Sequence, residues 1–248
     1  MDFTNRVVLV TGSSTGIGLE TARLFHQSGA SVVINGASER GWDIAKQFGV
    51  RALFLRADVG QVEQCRQLVK DTICAFGRLD VLVNNAGIVP VGTVQDVDEA
   101  DFDQAFSVNV KSAFFLSQYA VAEMKRQGGG VIINIASVAG LIGPKNRALY
   151  SATKGAMISL TRAMASDHAK DNIRVNCVCP GMVKSESLIQ RINAMPDPIA
   201  AEANFKNAIP IGRIGNVTEI AHMILTAASQ ETGFMTGSIL TIDGGASL

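Results

Sequence analysis

Tyr150 and Lys154 stand four positions apart in Y-S-A-T-K. On a helix, residues i and i+4 share a face, so the lysine ammonium can lie beside the phenol oxygen. A neighbouring positive charge favours the phenolate, the form a tyrosine needs to take a proton from a substrate near neutral pH. The other tyrosine, Tyr119, has Glu123 at the same offset, a pairing that opposes ionisation. A surface helix with one Tyr and one Lys would look the same, so other residues must decide. Ser137 follows the aliphatic run I-I-N-I-A-S, either as a reactive hydroxyl at a strand end or as the cap of the next turn. Asn109, in S-V-N-V, interrupts an apolar helical stretch, where asparagine has poor propensity and needs a partner if buried.

A second group of residues points to phosphate. T-G-S-S-T-G-I-G sets Gly12, Gly16 and Gly18 between an aliphatic run and a helical segment. Glycines let the backbone approach a pyrophosphate, and a helix N-terminus offers free N–H groups and the positive end of its dipole. The spacing is G-x-x-x-G-x-G, and the lysine of a P-loop is missing. Asp58 ends the third aliphatic run and Asn84-Asn85-Ala86-Gly87 the fourth, at the carboxyl ends where open sheets bind ligands. The second run ends in V-V-I-N-G-A-S-E-R. An acid is expected there, about 20 residues after the glycine turn, to close on ribose hydroxyls. Glu39 fits the count, but Gly36 occupies the strand tip itself.

The elements that must position these groups are seven aliphatic runs: V-V-L-V-T, S-V-V-I-N, A-L-F-L-R, L-D-V-L-V-N, V-I-I-N-I, I-R-V-N-C-V and S-I-L-T-I. They are nearly continuous in Val, Ile and Leu, as strands buried on both faces should be. Helical spacing fills the intervals, as over Gly18 to Gln27, Val62 to Phe76, Phe102 to Lys125 and Ala148 to His168. The alternation predicts an α/β fold: a single doubly wound parallel β-sheet of about seven strands with helices on both faces. No linker divides the chain, so residues 1–248 read as one catalytic domain. Residues 184–215, with Pro196, Pro198 and Pro210 and no strand signal, read as a substrate lid inserted before the last strand.

Composition narrows the function classes. The chain has 248 residues, 22 Lys plus Arg against 22 Asp plus Glu, and no run of like charge. That excludes nucleic acid or an anionic membrane as main partner, since either needs a basic face. R-V-V-L-V-T-G begins at Arg6, which leaves no room for a signal peptide, and no apolar stretch is long enough to span a bilayer. A cytoplasmic enzyme is expected. Cys65, Cys74, Cys177 and Cys179 lack zinc-ligand spacing and read as buried reduced thiols, and the three histidines fall on helices away from the strand tips, so no metal site is expected.

Taken together, the motifs resemble the short-chain dehydrogenase/reductase family over essentially the whole chain. The glycine turn, N-N-A-G, Ser137 with Y-x-x-x-K, Asn109, Pro180-Gly181 and Asp243-Gly244-Gly245 occur in the family's order. The resemblance implies a Rossmann-type fold and hydride transfer between NAD or NADP and a secondary alcohol or ketone. It makes Tyr150 the general acid/base and gives Lys154 two tasks, assisting Tyr150 and holding the nicotinamide ribose. Ser137 would bind the substrate oxygen, and Asn109 would position a water that relays protons to Lys154. Cofactor contacts are implied along Gly12, Ser14, Thr15, Gly16, Ile17 and Gly18, at Gly36 and Ala37, and at Asp58 and Val59 beside adenine. They continue through Asn85, Ala86 and Gly87 to Pro180, Gly181, Val183 and Ser185 at the carboxamide. A homotetramer is also implied, formed partly through the small residues of the Tyr150 helix.

The resemblance leaves the substrate open. Members that reduce 3-oxoacyl groups on acyl carrier protein tend to carry basic residues in two loops, where this chain has Gly128 and Asp171. The loop that borders the substrate in the family reads G-P-K-N-R-A-L-Y, so Lys145 and Arg147 favour a small polar hydroxy compound: a sugar, sugar acid or hydroxy acid. The 3-oxoacyl reductase reading is the alternative. A non-catalytic dinucleotide sensor would have no need of Asn109, Ser137, Tyr150 and Lys154 together. For the cofactor, neither the acid usual for NAD at Gly36 nor the base usual for NADP at Ala37 or Thr15 is present. A 2′-phosphate left unpaired near Glu39 costs more than lost hydrogen bonds to a diol, so NAD is favoured, with Arg40 and Ser38 the residues that would serve NADP.

Overall fold

The structure is a computed structural model and describes residues 1–248. Its strands are β1 (Val7–Val10), β2 (Ser31–Gly36), β3 (Ala52–Arg56), β4 (Val81–Asn84), β5 (Gly130–Ile135), β6 (Ile173–Pro180) and β7 (Ile239–Ile242). They form one parallel sheet in the order β3-β2-β1-β4-β5-β6-β7. The helices are α1 (Gly16–Gln27), α2 (Gly41–Phe48), α3 (Val62–Phe76), α4 (Glu99–Phe106), α5 (Ser112–Arg126), α6 (Ala148–His168), α7 (Glu186–Asn193), α8 (Pro198–Asn207) and α9 (Val217–Ala228).

The continuous aliphatic runs are explained by two buried faces. Val8 and Val10 of β1 join the core under α1, α2 and α9, whereas Leu9 enters the core under α3, α5 and α6. The same alternation separates Val32 and Ile34 from Val33, Val81 and Val83 from Leu82, and Ile133 and Ile135 from Ile132. Strand order reverses between β1 and β4, and the connections leaving their carboxyl ends run to opposite faces of the sheet, which leaves a crevice between them.

Three local expectations need correction. The single helix expected over Phe102 to Lys125 is α4 and α5 joined through a π-helical turn, Ser107–Lys111, with Asn109 at its centre. The extra residue in that turn accommodates a buried polar side chain within an apolar helical face. Helix α2 was not foreseen. It has only eight residues and opens on Gly41, where a Cβ would come within 2.0 Å of the Phe54 ring. Finally, Cys65, Cys177 and Cys179 are buried but Cys74 is exposed, on the solvent side of α3.

Residues 184–215 contain no strand, as expected, and fold into α7 and α8. A bridge between Val183 and Gly215 closes the base of the insertion. Leu188, Ile192, Ile209 and Ile214 form its own small core. No helix of the chain is long and apolar enough to cross a membrane.

Candidate active site

The crevice between β1 and β4 continues into a cleft of about 680 Å³ that runs to Tyr150. Its walls include Gly12, the turn Ser14 to Gly18, Gly36 and Ala37, Asn85 to Gly87, and Pro180, Gly181, Val183 and Ser185. Gly12 has φ +58°, and a Cβ there would lie 2.8 Å from the Ala86 Cα, so only glycine lets the two loops meet. Asn85 Nδ2 ties those loops together by donating to the carbonyls of Thr11 (2.8 Å) and Gly12 (3.0 Å). Thr15 caps α1 without a side-chain hydrogen bond, and no acid stands in the helix's first turn. The N–H groups of that turn are therefore free for an anion. A Cβ at Gly36 would fall 2.9 Å from Ser14 Oγ, which keeps the second strand tip equally open. This cradle fits a dinucleotide.

The cleft does not reach Asp58 or Val59. Asp58 is exposed and accepts from the Gly60 N–H through Oδ1 (2.9 Å), while Val59 is buried beneath the loop.

Four residues from three elements gather at the other end: Tyr150 and Lys154 on α6, Ser137 at the 3₁₀ turn after β5, and Asn109 in the π turn. Lys154 is 4% exposed, donates to the Ile135 carbonyl (2.9 Å), and carries its Nζ 5.7 Å from the centre of the Tyr150 ring. The end of β5 thus holds the ammonium, and no carboxylate competes with Tyr150 for it. Ser137 begins the 3₁₀ turn Val138–Gly140, where its Oγ accepts the Ala139 N–H (3.1 Å). Its own proton has only a long contact, 3.5 Å to the Pro180 carbonyl, and remains available to a substrate oxygen. The turn sits directly on α6, since a Cβ on Gly140 would come within 2.7 Å of Lys154 main chain.

Asn109 is 2% exposed. Its Oδ1 accepts the Ile88 N–H (2.8 Å), and its Nδ2 donates to the Ile88 carbonyl (2.9 Å) and to Thr153 Oγ1 (3.1 Å). Both amide hydrogens are taken, so the side chain pins the β4 loop to α6. Gly87 brings its loop close to both Asn109 Oδ1 and Lys154 Nζ. A Cβ built on Gly87 would lie 3.2 Å from the first and 3.5 Å from the second.

The loop before α6 divides the two basic residues expected at the substrate. Asn146 adopts the left-handed region (φ +56°), which places Arg147 on the cleft wall and leaves Lys145 exposed outside it. Sequence reasoning missed two charged residues near the cleft, Arg191 and Arg56, and named a third, Arg40. Arg191, on α7, lines the substrate end. Arg40 is already engaged, donating to both oxygens of Glu186 (2.8 and 2.9 Å) across the mouth of the insertion. Arg56, beside Gly36 in the sheet register, donates to the Ala37 carbonyl (2.9 Å) and to Glu39 (3.3 Å). The only signal for Arg191 was its offset of three from Leu188 and one from Ile192, an apolar helix face within the insertion.

A second hollow, of about 390 Å³, lies at the opposite end of the sheet, where Arg6 and Arg78 pair with Asp80 and Arg174 donates to four main-chain carbonyls. Those charges are spent on structure. No group of three or more His, Cys, Asp or Glu is placed to hold a metal ion.

Comparison with known proteins agrees with this geometry. The profile of the enoyl-(acyl carrier protein) reductase family matches residues 12–247. An uncharacterized oxidoreductase of Thermotoga maritima is 49% identical over 99% of this chain and 98% of its own length. The L-fucose dehydrogenase of Oryctolagus cuniculus is 39% identical over 99% of this chain and 86% of its own length. A solved short chain dehydrogenase/reductase family protein superposes with a TM-score of 0.89 at 36% identity, covering 100% of this chain and 99% of that one. On this cleft, sheet and relationship, the chain belongs to the short-chain dehydrogenase/reductase family of NAD(P)-dependent oxidoreductases.

Proposed function

We propose that this enzyme interconverts a secondary alcohol and a ketone on a small polar hydroxy compound, with Tyr150 as general acid/base. The observation that carries the reading is the buried ammonium of Lys154, held by Ile135 beside the Tyr150 ring with no carboxylate partner. When bound, NAD(P) supplies the two-electron acceptor or donor for the hydride on the carbinol carbon. Tyr150, as phenolate, takes the hydroxyl proton during oxidation and returns it during reduction. Lys154 sets a fixed positive charge beside the Tyr150 ring, and the Ser137 hydroxyl donates to the substrate oxygen. Gly87 lies close to both Asn109 Oδ1 and Lys154 Nζ, and a water ordered beside Lys154 would pass the proton outward.

Two observations bear on the finer assignments. Arg40 and Arg56, the cations nearest the second strand tip, are both engaged with carboxylates, and Glu39 would face a 2′-phosphate. This supports NAD over NADP. The substrate end of the cleft carries Arg147 without an acidic partner, and a relative is named for a sugar, L-fucose; both support a polar substrate. The test is Tyr150→Phe. Turnover should fall by about 10²–10⁴-fold, with cofactor affinity, read by NADH fluorescence, nearly unchanged. Undiminished turnover would sink the proposal.

A further inference from the structure

Of the charged residues in the insertion, one is conspicuously alone. Lys184 and Lys206 pair with Glu202, and Arg213 pairs with Glu219. The insertion's three acids are likewise engaged: Glu186 with Arg40, Glu202 with the two lysines, and Asp197 as the cap of α8. Arg191 has no carboxylate, and its Nε is buried without any hydrogen-bond partner. Its position is fixed, because Leu188 and Ile192 on the same face of α7 are buried against Ile209 and Ile214. The guanidinium therefore enters the cleft on a rigid support.

It also enters beside a second cation. Burial lowers the tendency of Arg191 to hold its proton, and the charge of nearby Arg147 lowers it further, opposed by Tyr150. Arg147 itself donates only to the Asn146 carbonyl and joins no ion pair. Two guanidinium-bearing side chains from different elements thus line one cleft together with Tyr150. A half-buried guanidinium whose Nε is buried without a partner, beside a second unpaired cation, is unfavourable, and the bound state that relieves both is an oxyanion accepting from two forks. Ile142, Leu188, Phe205 and Ile209 on the same cleft walls are apolar and suit a short hydrocarbon chain.

We propose that Arg191 and Arg147 together receive a carboxylate, so that the substrate is a short hydroxy acid and its product the corresponding oxo acid. The assignment rests on the reading of Tyr150 above, which places the reacting oxygen at the same end of the cleft. It also distinguishes the acids from the neutral sugars among the polar compounds considered.

Binding tests it without requiring turnover. Butyrate and its neutral isostere butanamide would be titrated against the protein holding NADH, with cofactor fluorescence as the readout. Butyrate should bind at least tenfold more tightly; Arg191→Gln and, separately, Arg147→Gln should erase that preference, and Arg191→Lys should restore part of it. Equal binding of the two compounds, or a preference that survives both Gln variants with unchanged melting temperatures, would overturn the site. Tighter binding of ethanesulfonate or methylphosphonate than of butyrate would overturn the choice of carboxylate. Tyr150→Phe separates this from the dehydrogenase reading. It should keep the butyrate preference while losing turnover, so each proposal can fail without the other.

Discussion

At the scale of single residues, the chemistry depends on which charges are left without partners. Lys154 and Arg191 are withheld from carboxylates, while Arg40 and Arg56 are not. Both exceptions flank the second strand tip, where the proposed cofactor reading puts the ribose, so the residues that engage them bear on cofactor choice under that reading. Glu186→Gln removes the carboxylate that occupies Arg40 and frees its fork for a 2′-phosphate. A charge-assisted hydrogen bond gained there is worth about 1.5–3 kcal/mol, which corresponds to a rise of roughly tenfold or more in the NADP+ to NAD+ ratio of kcat/KM. The ion pair itself is exposed on both sides, so the melting temperature should barely move. An unchanged ratio in paired steady-state assays would show that Arg40 does not face the ribose.

Elements decide how far those residues can be brought together. The 3₁₀ turn after β5 and the helix α6 touch main chain to main chain at Gly140, which is how Ser137 comes to stand beside Tyr150 and Lys154. Gly140→Ala forces a Cβ against backbone that cannot rotate away. It should cost about 1–3 kcal/mol of stability and lower kcat more than it weakens cofactor binding, because the glycine turn at α1 is untouched. Thermal unfolding and kcat measured together check this, and a neutral variant would mean that the two elements are not in contact. The same contact shows what was legible in sequence. Seven aliphatic runs specified the sheet because burial on both faces leaves no other pattern, and strand ends located Ser137 and the Asn85 to Gly87 loop. The π turn at Asn109 and the eight-residue α2 left no periodic signal. Lys145 and Arg147 could not be separated, because the left-handed Asn146 between them is a backbone property. Arg191 stayed hidden because a single cation on a short amphipathic helix reads as solvated until its neighbours are known.

Across the whole molecule, function and stability occupy opposite ends of one sheet. The carboxyl ends of the strands hold the cleft; the amino ends are fastened by Asp80, just before β4. Its carboxylate accepts from Arg78 (2.7 Å to each oxygen), from Arg6 (2.8 Å) and from the Val7 N–H (2.9 Å), joining β1 to β4 below the crevice. Burial alone would push the Asp80 carboxyl up, but these hydrogen bonds and the charge of Arg78 hold it below the usual aspartate range. A carboxyl whose folded-state value is depressed stabilises the protein above its unfolded value, and that contribution is lost as pH falls through the folded one. Asp80→Asn should therefore cost about 3 kcal/mol at neutral pH, since it leaves two arginines without their counter-charge. The gap in melting temperature between wild type and variant should stay constant from neutral pH down to about pH 5, then narrow below about pH 4 as the wild-type carboxyl protonates. Well below the melting temperature, kcat should be the same in both proteins, because the tether lies at the far end of the sheet from Tyr150. A gap that widened on acidification would reverse the sign assigned to Asp80. A loss of kcat at low temperature would show that the two ends of the sheet are mechanically coupled.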